Sequence, residues 1–138
     1  MQDIKVLVVD DDSDYRTLLR EYLHEKGLSV LEVGSEEEAV QTAVSEVPDV
    51  ILLDVILPGT DGYEVCRKLK SDNRTRGIPV MMLTARVGFN DKLQGFLAGA
   101  YKYFTKPCAL EEIEEAIYGV LGNNGASRTI NREIEMHY

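Results

Sequence analysis

Asp54 closes the apolar run Val50-Ile51-Leu52-Leu53 and precedes Val55-Ile56-Leu57-Pro58-Gly59-Thr60-Asp61-Gly62. A carboxylate at the end of a short buried strand, leading into a loop with Pro and Gly, stands where ligands bind in α/β proteins. It is a candidate nucleophile. The same arrangement recurs at Val6-Leu7-Val8-Val9 before Asp10-Asp11-Asp12, at Val80-Met81-Met82-Leu83 before Thr84, and at Tyr101 to Phe104 shortly before Lys106-Pro107. If these four strands are parallel, three carboxylates, a hydroxyl and an ammonium converge at one sheet edge. That combination suits a phosphoryl group and magnesium.

Clustered carboxylates repel one another and drive a pKa upward unless a cation neutralises them, so a hard divalent ion is the simplest account of Asp10, Asp11 and Asp54 together. Magnesium takes oxygen ligands, retains several waters and pairs with substrate phosphates. Asp10 to Asp12 could instead merely cap a helix, since Asp is a common N-cap residue, and Asp12 is read as the cap. For Asp54 to accept a phosphoryl group, a second cation must face the metal across the phosphoryl oxygens, and Lys106 supplies it. Thr84 offers a hydroxyl that can donate to a phosphoryl oxygen, although a β-branched residue also suits an ordinary strand end.

These residues are positioned by strand and helix patterns that alternate along the chain, the signature of a parallel sheet with crossover helices. The first strand spans about Ile4 to Val9, and a helix follows from Asp14 to Lys26 with Leu18, Leu19, Tyr22 and Leu23 as its apolar stripe, stopping at Gly27. A short strand, Ser29 to Val33, precedes a helix that Ser35 and Glu38 start as a capping box, with Ala39, Val40, Ala43 and Val47 inward and Pro48 at its end. After the strand ending at Asp54, a third helix runs from Gly62 to Ser71 with Val65, Cys66 and Leu69 inward. The fourth helix, about Asn90 to Ala98, is diluted by Gly88, Gly95 and Gly99, and low helical stability suits a switching element. The fifth strand is Lys102 to Phe104. The fifth helix, Leu110 to Leu121, turns Leu110, Ile113, Ile117, Val120 and Leu121 toward a core. Right-handed crossovers and this length predict a doubly wound three-layer α/β sandwich.

The chain has 138 residues, one domain's worth, too short for this domain plus a full second one. Apolar stretches are strand-sized and the N-terminus has no leader pattern, so neither a membrane span nor a signal peptide is expected and a cytoplasmic location follows. Net charge is −9, which argues against direct nucleic-acid binding because phosphate-backbone affinity needs clustered Lys and Arg. Cys66 and Cys108 are too few and too far apart for a metal knuckle or disulfide framework and read as small semi-apolar residues. Residues 123–138 have little apolar content beyond Ile130, Ile134 and Met136, and read as a flexible tail or linker stub after a domain spanning 1–122.

In order and spacing, VVDDD (8–12), LLDVILPGTDGYEVCRKLK (52–70), PVMMLTA (79–85) and the GA…YFTKP segment (99–107) resemble the receiver domain of two-component response regulators. The resemblance covers residues 3 to about 121 and implies the sheet order 2-1-3-4-5. It also implies that Asp54 is the phosphoacceptor, served by a histidine kinase or phosphotransfer protein and relaying its state to an output domain or protein not identified by the sequence. Asp11 and Asp54 would ligate magnesium directly, Asp10 through water, and the Ile56 backbone carbonyl would complete the set. Lys106 would be aimed by a cis bond to Pro107, and Ala85 would leave room for the phosphoryl group. Phosphorylation would draw Thr84 inward and let Tyr103 rotate into the vacated space; read without the resemblance, Tyr103 is equally a half-buried aromatic on an outer strand.

Two departures stand out. Tyr101-Lys102 follow Gly99-Ala100 where the family commonly has Asp-Asp, and the fifth helix carries Glu111, Glu112, Glu114 and Glu115 with no Arg or Lys. The cross-subunit salt bridges of the family's winged-helix transcription factors therefore lack half their charges here, so a dimer of that type is not expected. The implied role is a signalling switch rather than an enzyme with a metabolite substrate. A magnesium phosphohydrolase of the haloacid-dehalogenase type, with its nucleophile after the first strand, and a phosphorylation-independent interaction module are the competing readings.

Overall fold

A computed structural model describes residues 3–122 of the chain. Seven strands and five helices occur among them: β1 (Lys5–Val9), α1 (Ser13–Glu25), β2 (Ser29–Val33), α2 (Glu36–Glu46), β3 (Val50–Leu53), β4 (Ile56–Leu57), β5 (Thr60–Asp61), α3 (Gly62–Ser71), β6 (Val80–Thr84), α4 (Phe89–Leu97), β7 (Lys102–Thr105) and α5 (Leu110–Leu121). Five strands form one parallel sheet in the order β2-β1-β3-β6-β7, while β4 and β5 pair as a separate antiparallel ribbon. With the ribbon set aside, this is the expected 2-1-3-4-5 order of a doubly wound α/β fold.

The sheet's period of two sorts its residues onto two apolar faces. On one, Leu7 and Val9, Ile51 and Leu53, and Val80 and Met82 pack with Ala39 and Ala43 of α2 and with Val65, Cys66 and Leu69 of α3. The alternate residues Val6, Val8, Leu52, Met81 and Leu83 are buried on the opposite face, where Leu19 and Leu23 of α1 are also buried. Each of the Val, Leu, Ile and Met side chains among them contributes about 1.5–3 kcal/mol on removal from water before chain entropy is counted, so β1 and β3, buried on both faces, form the rigid centre that carries the carboxylates.

The chain divides into two compact units, Met1–Pro107 and Cys108–Tyr138. The second contributes α5, on which Ile113, Ile117 and Leu121 are buried, whereas Leu110 and Val120 are only partly so. The segment 123–138, expected to be a tail, lies outside the described residues.

Other expectations need correcting. Leu18 belongs to the exposed side of α1, because the N-cap at Asp12 sets a register in which Leu19 and Leu23 point inward. Val47 is exposed and left-handed at φ 45°: Pro48 cannot continue α2, so the chain turns out of the helix at the residue before it. Ser35 does cap α2, but its hydroxyl donates to the Glu38 carboxylate (3.0 Å) while accepting from the Glu38 N–H, a side-chain variant of the expected box. Helix α4 starts one residue early, at Phe89, where Asp91 reaches back to the Gly88 N–H (3.1 Å). The ribbon over 56–61 was not anticipated.

Candidate functional site

Asp10, Asp54 and Lys106 each sit one step past a strand and are held there by one further rung of the parallel ladder, while Thr84 is the last residue of β6. The Asp10 N–H donates to the Val33 carbonyl (3.1 Å), the Asp54 N–H to the Val9 carbonyl (2.9 Å), and the Lys106 N–H to the Thr84 carbonyl (2.8 Å). The backbone therefore fixes where these side chains begin, and the apolar strands behind them cannot shift without opening the core.

Three of the expected side chains come together: Asp10, Asp54 and Lys106. Lys106 Nζ lies 2.6 Å from Asp10 Oδ2 and 3.1 Å from Asp54 Oδ2, and all three side chains are largely shielded from water. The other carboxylate oxygens are held by backbone: Asp10 Oδ1 accepts from the Asp12 N–H (2.9 Å) and Asp54 Oδ1 from the Ile56 N–H (3.0 Å). Burial raises the Asp10 pKa above its ordinary value; Lys106 and the Asp12 N–H oppose that, and the Asp54 charge adds to it. Burial by itself would lower the Lys106 pKa, but the two carboxylates outweigh it and the net shift is upward. The result is an ammonium clamped between two carboxylates, each with its Oδ2 facing that cation.

Thr84 is fully buried, and its Oγ1 accepts from the Arg86 N–H at a long 3.4 Å. The Tyr103 hydroxyl donates to the carbonyl of the same Arg86 (3.0 Å), so the two expected switch residues grip opposite sides of one residue in the loop before α4. Tyr103 also lies 3.5 Å from the hydroxyl of Tyr63, which donates to the Asp91 carbonyl (2.9 Å) in the first turn of α4. Ala85 is exposed, and the Lys106-Pro107 bond is cis.

The donor set fits a hard cation in chemistry: oxygen ligands only, with two buried carboxylates whose paired negative charge the Lys106 ammonium only half balances. Asp10 and Asp54 meet; Asp11 is exposed and stands apart from that pair, and among the described residues no three acidic, His or Cys side chains form a ready-made metal group. Asp11 and the Ile56 carbonyl thus stay tied to the site by position in the chain.

Sequence reasoning missed four contributors. The Tyr15 ring lies under Lys106 Nζ, 4.1 Å from ring centroid to nitrogen. Arg16 donates to the Asp10 carbonyl and pairs with Glu32 of β2 (3.4 Å). Gly62 opens α3 against the backbone of Asp54 and Val55, where a Cβ would fall 2.3 Å from the Asp54 carbonyl oxygen. Tyr63 is the fourth. For Tyr15 and Arg16 a signal existed, because the first turn of a helix following Asp10-Asp11-Asp12 must pass the site. The two cysteines are free thiols; Cys66 is buried, its thiol pushed up to about 11 by that burial, and it is packing rather than chemistry. No helix among the described residues is long and apolar enough to cross a membrane.

Residues 6–118 match the sequence profile of the response regulator receiver domain. The phosphate regulon transcriptional regulatory protein PhoB of Pseudomonas aeruginosa is 39% identical over 120 residues, covering 87% of this chain and 52% of that protein. The response regulator PleD of Caulobacter vibrioides is 44% identical over 103 residues, 75% of this chain and 23% of that protein. Among solved structures, a two-component response regulator from Clostridium difficile superposes with a TM-score of 0.82 at 30% identity, covering 88% of this chain and 98% of that one. The chemotaxis response regulator CheY4 of Vibrio cholerae gives 0.81 at 28% identity, covering 87% and 100%. The chain spans about half the length of the PhoB regulator it matches.

Proposed function

The chain belongs to the response regulator receiver-domain family of two-component systems, a signalling rather than a metabolic domain, and from that premise we propose that it is a phosphorylation-dependent switch in which residues 1–122 are the receiver and Asp54 takes the phosphoryl group. The observation that carries this reading is the clamp: Asp54 Oδ2 faces Lys106 Nζ at 3.1 Å, while the Ile56 N–H fixes Oδ1 and with it the plane of the carboxylate. A histidine kinase or phosphotransfer protein supplies phosphohistidine. An Asp54 oxygen attacks phosphorus, the P–N bond breaks as the P–O bond forms, and the departing imidazole nitrogen takes its proton from water. Hydrolysis later breaks the acyl phosphate and restores the carboxylate. Asp10, Asp11, Asp54 and the Ile56 carbonyl would hold Mg2+, which supplies charge neutralisation at the phosphoryl oxygens.

Lys106 faces the new oxygens as the protein's own cation, and the Thr84 hydroxyl donates to one of them. Drawn toward that oxygen, Thr84 moves away from its long contact with the Arg86 N–H, which loosens the residue that Tyr103 grips from the other side. Tyr103 carries that change to α4, whose Phe89, Leu93, Phe96 and Leu97 are exposed and offer an apolar surface for an output domain or protein to read. The reaction runs in the cytoplasm, where the phosphodonor kinases act. A phosphohydrolase with Asp10 as nucleophile is set aside by the family match.

Acetyl phosphate with magnesium is the test. Intact-mass measurement should find one phosphoryl group on the wild-type chain and none on Asp54→Asn; uptake that persists in Asp54→Asn overturns the proposal.

A further inference from the structure

Lys106 is a flexible four-carbon arm that must stay over Asp54 while the carboxylates around it change partners. Its ammonium has three neighbours: Asp10 Oδ2 at 2.6 Å, Asp54 Oδ2 at 3.1 Å, and the face of Tyr15, 4.1 Å from the ring centroid. The two carboxylates lie on the reacting side. An aromatic face attracts a cation through its quadrupole and, unlike a carboxylate, neither takes up a phosphoryl group nor binds a hard metal.

Tyr15 is itself fixed. It is the third residue of α1, and its N–H donates to Oδ1 of the N-cap Asp12 (3.3 Å), which also accepts from the Asp14 N–H (3.0 Å). The Asp12 N–H donates to Asp10 Oδ1 (2.9 Å), and the Arg16 N–H donates to the Asp12 carbonyl (3.1 Å). The helix cap thus ties the ring to the same Asp10 that contacts the lysine.

We infer that Tyr15 is a positioning residue for phosphoryl transfer, its ring forming the non-reacting wall that keeps the Lys106 ammonium directed at Asp54. The inference rests on Lys106 being the site cation of the receiver reading. It makes no use of the tyrosine hydroxyl, so Phe serves as well as Tyr at this position and an aliphatic residue does not.

The test combines kinetics with a readout that needs no reaction. Uptake from acetyl phosphate with magnesium is followed by intact mass for wild type, Tyr15→Phe and Tyr15→Leu, with Tyr22→Leu as a control for losing another α1 aromatic. Tyr15→Leu is expected to slow uptake about fivefold, the equivalent of a partly shielded cation–aromatic contact; Tyr15→Phe and Tyr22→Leu leave it within twofold. In the metal-free protein, NMR should place the Lys106 ε-methylene protons upfield by ring current in wild type and Tyr15→Phe, and return them to ordinary positions in Tyr15→Leu. Equal rates for Leu and wild type, a Phe variant as slow as Leu, or no upfield shift in wild type each overturns the inference. Should Tyr15→Leu not fold, the wild-type and Phe spectra and rates still decide it. Failure of wild type to take up phosphoryl would instead sink the receiver reading, leaving the spectra as the judge of the contact.

Discussion

Replacing Lys106 by Met keeps the length of the side chain and removes its charge, leaving Asp10 and Asp54 facing one another without a cation. The side chains involved are 18% exposed for Lys106, 4% for Asp10 and 8% for Asp54, so the pair cannot be ranked with surface ion pairs, which are worth about 0–1 kcal/mol. Removing one partner of a buried pair costs about 3–5 kcal/mol. Here a carboxylate can escape part of that cost by taking up a proton, so the expected loss at pH 8 is near the lower end, about 3 kcal/mol. That is a large share of the roughly 5–15 kcal/mol that stabilises an ordinary domain.

The pH dependence has a definite sign. The native Asp10 pKa lies above its ordinary value of 3.8, so between those values the native state holds a proton that the unfolded chain has lost, and Asp10 makes stability fall as pH rises. Removing Lys106 takes away the ammonium that, with the Asp12 N–H, holds this pKa down, and extends the window upward. Lys106 itself, raised above 10.5, is charged at both test pH values in wild type and contributes stability lost only as pH rises through its native value. Urea denaturation followed by circular dichroism, without metal, should therefore give a deficit for Lys106→Met that is largest at pH 8 and shrinks toward pH 5. Magnesium should stabilise the variant more than wild type, since it enters a site with no competing ammonium. A deficit below about 1 kcal/mol that does not change with pH would mean that Lys106 is a surface-type partner, and would refute the reasoning.

Further outcomes follow from the same geometry. Magnesium should raise the melting temperature of wild type at low ionic strength and leave Asp11→Ala unchanged; an undiminished response in that variant would place the ion elsewhere. Gly62→Ala puts a Cβ 2.3 Å from the Asp54 carbonyl oxygen and 2.8 Å from Val55 Cα, so backbone must move. A loss of about 2 kcal/mol or more in urea denaturation is expected, together with slower phosphoryl uptake, and a silent variant would contradict the close approach. With a phosphoryl analogue bound, the NMR signals of Tyr103 should shift while light scattering at micromolar protein gives no stable dimer of the winged-helix type, because Glu111, Glu112, Glu114 and Glu115 lack basic partners on their own helix.

The sequence carried the sheet and the reacting groups because both rest on local patterns. Apolar runs ending at Asp10, Asp54 and Thr84 announce buried strands and what they deliver, and Lys106 follows the fifth such segment at a fixed distance. The capping Asp12 and the buried stripe of α3 were legible for the same reason. What remained hidden depends on partners far along the chain. Leu18 and Leu19 are equally apolar, and only the cap register decides which faces water. Tyr15 reads as a helix residue until Lys106, far downstream, is found beside its ring. Gly62 looks like a loop glycine until α3 is seen to start against the Asp54 carbonyl. The grip of Thr84 and Tyr103 on Arg86 joins two strands to one loop residue, a contact that no periodicity encodes.

The central claim is that the carboxylate after β3, and no other, carries the phosphoryl group. Reductive trapping of the acyl phosphate with borohydride after treatment with acetyl phosphate and magnesium, followed by peptide mass spectrometry, locates it to a residue. The account predicts a single modified position, Asp54. Modification at Asp10 or Asp11, with Asp54 untouched, would contradict it.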